Sequence, residues 1–598
     1  MFSFAPPGLE EFYRTFSITY FSISHDEQQI AFSTNMNGHF NIWGMDLPNT
    51  FPYPLTMVNQ RPSFVRFDPK GRFLLAGFDR DGDENQQIYA ISPNGGQLMP
   101  IRVQHGKRHD FSDITQDGRY LYYSSDKDNA MYLNSYRYDL ETEEETIIYE
   151  GKEVTTALLT VAPNGSSFVI AKASSNTHVA CYLLIDDEEI CLTPDDQVPH
   201  VVDFVRYLDD DQLVFTTNYQ ASHSYLVHYD IPTRAMTRLI QLENRDITWI
   251  TVNQQGMIYF VAQNGVEDEL FLYDLPTHAY RKIDFPGAVI HQISVRESGN
   301  LYVLCSSEDH PVNLYRRTID GVWTQLTNLR VIGASPTMMQ KAKTIHYPSF
   351  DGMIIEAMLF QPAKEKSNDH TIIFPHGGPQ AADRKNFWSL TQFLLSQGYA
   401  IFSPNYRGST GYGAEFTKMI ERDWGGAPRQ DVVSGIDYLI EQGLAHREKL
   451  FVMGGSYGGY MTLLLHGRHA EYFRAAVDIF GPSDLFTFYH SVPEFWKPMM
   501  DAWLGNPESD KEKMTEDSPI TYLDAMTKPM LVIQGANDPR VVKAESDQIV
   551  ERLRKKGRDI EYLVLEDEGH GFSKKENELR VYQRVIEFLD KHQWKEGK

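Results

Sequence analysis

The sequence predicts two domains of different class, a seven-bladed β-propeller followed by a mostly parallel α/β sheet with helices on both faces. Three observations carry the prediction. The chain is 598 residues long, more than one hydrophobic core serves. Before about residue 330, a unit of alternating apolar segments and polar turns repeats seven times. Beyond about residue 340, short apolar strands alternate with amphipathic helical stretches.

Composition narrows what such a chain does. Hydrophobic residues make up 41%, charged residues 23% and aromatics 13%, which is enough apolar material for large cores. Asp and Glu number 81 against 56 Lys and Arg, and the formal charge of -25 repels phosphate backbones and anionic lipid headgroups. Nucleic acid and membrane surfaces are therefore poor partners. Three cysteines, Cys181, Cys191 and Cys305, neither build a disulfide framework nor show zinc spacing, and they read as reduced, buried and inert. The start MFSFAPPGLEEF lacks the basic and apolar runs of a signal peptide, and no apolar stretch reaches membrane-spanning length. A cytoplasmic, soluble protein is expected.

In chain order, residues 1–20 form an N-terminal helical extension, 21–335 the propeller and 336–598 the α/β domain. The first turn of each repeat falls at His25, Asp68, Gln116, Pro163, Asp209, Asn253 and Glu297. The spacing is about 45 residues, the period of a four-stranded blade. A blade cannot bury both faces alone, so stacking around an axis is the physical outcome, with a long β-sandwich or two small β domains as the alternative. In the second domain, Asp351-Gly352 turns a hairpin between Thr344–Tyr347 and Ile354–Phe360. Strands follow at Thr371–Phe374, Ala400–Ser403, Leu450–Met453, Ala475–Ile479, Met530–Ile533 and Tyr562–Leu565, and a long amphipathic helix closes the chain near Glu576–His592. No Gly, Ser or Pro linker separates the halves, so they are expected to dock closely.

The sharpest chemical signal is Gly454-Gly455-Ser456-Tyr457-Gly458-Gly459, between the strand at Leu450 and the helical stretch Tyr460–Leu465. That is the strand-turn-helix context of a nucleophile elbow, where glycines admit a sharp turn and leave the hydroxyl exposed. The bland reading is a glycine-rich turn with an N-cap serine. A serine needs a base, and the base needs an orienting carboxylate. His570, between Gly569 and Gly571 after the Tyr562 strand, has no helix or strand face to pack in. Asp538 follows the Met530 strand, and the order Ser456, Asp538, His570 is that of α/β-hydrolases. Asp567 is the rival carboxylate, disfavoured because it would have to double back across the loop. Oxyanion donors are expected from the backbone N–H groups of Gly378, at the end of an early strand, and Tyr457.

His376-Gly377-Gly378-Pro379, the run Asn405 to Gly413, the serine motif through Tyr460, Asn537-Asp538-Pro539-Arg540-Val541 and Gly569-His570-Gly571-Phe572 together resemble the prolyl oligopeptidase family of serine peptidases. The resemblance covers the last 250 or so residues by motif and the first 330 by architecture. Within the family, the His-Gly-Gly-Pro tetrad resembles the acylaminoacyl peptidase branch. Other branches place a tyrosine oxyanion donor where His376 stands, so a second backbone N–H takes over here. The resemblance also implies that Arg540 holds a substrate carbonyl, and that the propeller filters substrates by size. The propeller lacks the acidic-aromatic run by which dipeptidyl peptidases hold a free amino terminus. The acidic run Glu141–Glu145 reads as a solvated turn. Phe480, Phe486, Phe488, Tyr489, Phe495, Trp496 and Trp503 supply either an apolar specificity pocket or a helical cap, while Arg407 and Asp423-Trp424 read as structural supports.

The expectation is thus a serine peptidase that cleaves short peptides and releases N-acylated amino acids, with no metal or organic cofactor. The family resemblance also implies a homo-oligomer, with a dimer as first guess. An oligopeptidase or carboxylesterase of small acyl substrates and a non-enzymatic propeller scaffold are the alternatives. The segment Gly8–Phe16 is expected to pack on the α/β domain or on a neighbouring subunit.

Overall fold

A computed structural model describes residues 6–186 and 188–593, so the first five residues of the extension lie outside the described part. Seven four-stranded antiparallel sheets span residues 18–54, 62–102, 109–150, 155–191, 202–240, 246–283 and 289–325, each a meander of strands consecutive in sequence. The predicted first turns fall between the first two strands of every blade. Ile18–Ile23 turns at His25 into Gln29–Thr34, and Val289–Val295 turns at Glu297 into Leu301–Ser307.

Separate apolar clusters fill the seams between neighbouring blades and close the ring. Ile18, Phe21 and Phe32 of blade 1 meet Tyr302, Leu304 and Leu314 of blade 7, and blades 1 and 2 share Ile42, Val65 and Leu74. Among the described residues, no strand is exchanged across the seam between blades 1 and 7. Side chains join it instead, with Gln292 donating to Phe21 O at 2.9 Å and accepting from Phe21 N at 3.0 Å.

The second domain is one eight-stranded sheet, with β1 (Ala342–Pro348), β2 (Ile354–Phe360), β3 (Thr371–Ile373), β4 (Ala400–Pro404), β5 (Leu450–Gly455), β6 (Phe473–Ile479), β7 (Met530–Gly535) and β8 (Ile560–Leu565). The spatial order is β1-β2-β4-β3-β5-β6-β7-β8; β1, β2 and β4 pair antiparallel and the rest parallel. This is the α/β-hydrolase sheet. Its apolar strands read as near-continuous hydrophobic runs because helices cover both faces. One face buries Val432, Ile436 and Leu439 of the helix Ala427–Glu441, and the other buries Leu394, Val585 and Phe588.

The N-terminal helix Leu9–Tyr13 packs on this second domain of its own chain. Phe12 and Tyr13 are each 1% exposed, and Tyr13 stacks on Tyr582 of the last helix at 4.4 Å. Two expectations need correction. Cys191 is half-buried, because it lies on the outer strand Glu188–Cys191 of blade 4, whereas Cys181 and Cys305 are buried. Glu145 is no solvated turn: it opens the strand Glu145–Glu150 and pairs with Arg102 and Lys127. Among the described residues, no helix is long and apolar enough to cross a membrane.

Candidate active site

Ser456 stands between β5 and the helix Tyr457–Arg468 with φ 58 and ψ -124, a conformation a non-glycine residue adopts only where its surroundings impose it. Its N–H donates to Ile479 O of β6 at 2.9 Å. Gly458 lies against the chain after β3; a Cβ there would stand 2.2 Å from Pro375 O, so no side chain is admitted. The strand ends thereby bring Gly378, Ser456 and Tyr457 to one cavity of about 220 Å³.

The structure brings the three expected side chains together. His570 Nδ1 is 2.6 Å from Asp538 Oδ2, and its Nε2 is 2.9 Å from Ser456 Oγ. Asp538 Oδ1 accepts the backbone N–H groups of Arg540 at 2.9 Å and Val541 at 3.0 Å. A carboxylate so occupied keeps one oxygen for the imidazole. The Asp538 side chain is fully buried and that of His570 9% exposed, and the ring of Phe480 covers the imidazole at 4.6 Å. With Nδ1–H donating to Asp538, the neutral ring has Nε2 free to accept the Ser456 proton. The rival Asp567 is elsewhere, paired with Lys574 at 2.6 Å.

The loop around His570 is fixed by a residue that sequence reasoning passed over. Glu568, 1% exposed, accepts from Ser573 N at 2.9 Å, Ser573 Oγ at 2.8 Å and Lys574 N at 3.0 Å. Its only sequence signal is a glutamate two residues before the histidine with a serine five residues on, which is too common to single out. His376 does not face the serine. It stacks on Tyr406 at 4.3 Å, its Nε2 is 2.8 Å from Ser409 Oγ, and burial pushes its pKa down to about 4. The ring is neutral and supports the wall that carries Gly377 and Gly378.

The aromatic stretch divides between a cavity wall and packing on the core. Phe488, Trp496 and Trp503 line the 220 Å³ cavity beside Ser456, and Trp424, read as a support, lines it with them. Phe486 and Tyr489 pack on the hydrolase core as a cap would. Phe495 turns to the propeller, where Arg108 stacks on it at 4.4 Å. Arg407 is a support, held between Asp351 at 2.9 Å and the buried Asp431 at 2.7 Å.

Arg540 sits where this cavity meets a second one of about 390 Å³ that lies between the domains. Its Nε donates to Glu84 of blade 2 at 2.7 Å. Asp79, Glu84, Asp110 and Arg108 line this second cavity beside His570. Arg108 pairs with Asp110 at 2.8 Å. Burial, with Asp83 and Glu84 nearby, pushes the Asp79 carboxyl up to about 6.

A model of the prolyl oligopeptidase family matches residues 385–595. Dipeptidyl aminopeptidase BIII of Pseudoxanthomonas mexicana is 27% identical over 93% of this chain, which covers 84% of that protein. Among solved structures, the puromycin-hydrolyzing peptidase of Mycobacterium tuberculosis is similar with a TM-score of 0.85 at 17% identity, covering 99% of this chain and 97% of that one. The acylaminoacyl peptidase of Pyrococcus horikoshii gives 0.76 at 19% identity, with 99% of each chain covered. At these identities the solved structures speak for the fold, propeller and α/β-hydrolase together.

Proposed function

Starting from a chain that is a serine peptidase of the prolyl oligopeptidase family, we propose that it hydrolyses short peptides through an acyl-enzyme formed on Ser456. The observation that carries this is the unbroken line of hydrogen bonds from Asp538 through His570 to Ser456. In this reading His570 takes the Ser456 proton as Oγ attacks the scissile carbonyl. The N–H groups of Gly378 and Tyr457 receive the oxyanion, and Asp538 stabilises the imidazolium. His570 then protonates the leaving amine, and water repeats the cycle on the acyl-enzyme. Trp424, Phe488, Trp496 and Trp503 offer a large apolar side chain a place beside the reacting carbonyl, and Arg540 a donor for a substrate carbonyl oxygen.

At the amino end of the substrate, the first reading is release of N-acylated amino acids, supported by the His376-Gly377-Gly378-Pro379 tetrad. A second reading, removal of a short piece from a free amino end, has one observation in its favour. Asp79 is a carboxyl raised by burial, with Asp83 and Glu84 nearby, in the cavity next to His570, and a substrate ammonium would favour its charged form. A matched pair of peptides, acetylated and free at the amino end with the same aromatic residue before the scissile bond, separates the two. Faster cleavage of the acetylated member supports the first reading and of the free member the second. Cleavage of neither, with rapid turnover of a nitrophenyl ester, would leave an esterase. Ser456→Ala should lower turnover by about 10⁶ and abolish labelling by a fluorophosphonate probe; a labelled, active variant would remove Ser456 from the mechanism.

A further inference from the structure

His570 stands on the irregular segment after β8, flanked by two glycines. Its own domain holds one side of that segment, through Glu568 and through Asn537 N, which donates to Glu568 O at 3.0 Å. The other side faces blade 2. There the loop between the strands Leu74–Phe78 and Gln87–Ile91 reaches across the domain boundary and meets both catalytic loops.

The contacts are specific. Gly82 has φ +79, and a Cβ on it would lie 2.6 Å from Gly569 N, so the two backbones touch next to His570. Asp81 pairs with Lys574 at 2.8 Å, beyond the histidine. Asp81 O accepts from Asn537 Nδ2 at 3.3 Å, one residue before Asp538. Glu84 accepts from Arg540, two residues after it. The loop is itself shaped from within: Glu84 N donates to Asp79 Oδ2 at 3.2 Å, Asn85 N to Asp83 Oδ1 at 3.0 Å, and Gln60 Nε2 to Asp81 Oδ1 at 3.2 Å. A preformed loop pressed against the segment that carries His570 bears on where that segment sits, and misplacing a catalytic group by about 1 Å costs on the order of 10² in rate. The contact of Lys385 with Glu267 joins the same two domains and involves neither catalytic loop.

We propose that the blade 2 loop of residues 79–84 is a positioning element of the catalytic centre, setting His570 against Ser456 through Gly82 on Gly569 and Asp81 on Lys574. This rests on reading Ser456, His570 and Asp538 as the catalytic triad. On that basis the propeller does more than screen substrates: an intact hydrolase domain lacks one wall of its own histidine loop.

The test uses the full chain and two readouts, the second-order rate of fluorophosphonate labelling and the kcat and KM for one short peptide. Asp81→Ala should slow labelling and lower kcat by about tenfold or more with a smaller change in KM, and Asp81→Glu should recover most of the loss. Gly82→Ala, which forces the backbones apart, should act in the same direction. Glu267→Gln, which loosens the domain boundary elsewhere, should stay within about twofold of the parent. Labelling of Asp81→Ala at the parental rate would overturn the proposal, as would an equal loss in Glu267→Gln, which would make the effect one of general docking. If Asp81→Ala does not fold, Lys574→Met breaks the same pair from the other domain and is judged by the same outcomes. A parent chain that takes no label at all would instead refute the triad reading.

Discussion

Ser456 shows how a sequence signal becomes chemistry. Its φ of 58 is imposed by the join of β5 to the following helix, and glycines stand where neighbouring backbone leaves no room for a side chain. That crowding is why the serine was legible from sequence: the glycines mark the turn. Asp538 was legible from strand order, and it is Asp538, not Asp567, whose carboxylate lies 2.6 Å from His570. Asp538→Asn keeps the shape but presents an amide N–H to Nδ1, so the ring is held in the wrong tautomer. Turnover should fall by about 10⁴ while substrate affinity changes little, as steady-state kinetics on one peptide would show. A second residue effect concerns stability. Asp478 lies buried under the elbow, accepts from Gly481 N at 3.0 Å, and is pushed up to about 8 by burial. The folded chain then holds a proton that the unfolded chain releases at an ordinary carboxyl pKa. Stability is therefore lost as pH rises from about 4 through about 8. Asp478→Asn should melt with a weaker dependence on pH across that window, measured by thermal unfolding at several pH values; an unchanged slope would contradict it.

At the scale of elements, the inner strands of the blades and the strands of the parallel sheet were readable because each is an apolar run that ends in a turn. The outermost strands were not. Glu145–Glu150, Glu188–Cys191 and Ala279–Ile283 are largely exposed and carry polar residues, so they have no alternation to read. The misreading of Glu145 follows directly, since its partners are Arg102, on the outer strand of blade 2, and Lys127, in the bend after the strand Tyr120–Ser125, and neither leaves a local trace. The helix Leu9–Tyr13 is five residues long and holds its place by burial instead of by helix propensity. Phe12, set edge-on to Phe393 at 5.8 Å, is the anchor. Phe12→Ala should cost about 3 kcal/mol in stability, seen in chemical denaturation, with no change in molar mass by light scattering. A change in molar mass would mean that the helix also serves a neighbouring subunit.

For the whole molecule, close docking was foreseen from the missing linker, but not which surfaces meet. The contacts are made by charged loops, Asp81 with Lys574, Glu84 with Arg540 and Glu267 with Lys385, and a charge on a turn looks solvated until its partner is known. Because Ser456 lines a cavity of about 220 Å³ that meets, at Arg540 and His570, a cavity of about 390 Å³ between the domains, short peptides should be cleaved and a large substrate such as casein spared. Electrophoresis of casein digests beside a peptide assay checks this, and rapid digestion would count against a size filter. The helix Leu9–Tyr13 beds into the α/β-hydrolase domain before the chain enters blade 1, and the chain returns to that domain at β1. The propeller is in effect a long insertion, suspended from its host at two crossings. A body hung from one point swivels in every direction, whereas one hung from two turns like a gate on its pins, so any parting of the halves is steered along a single arc.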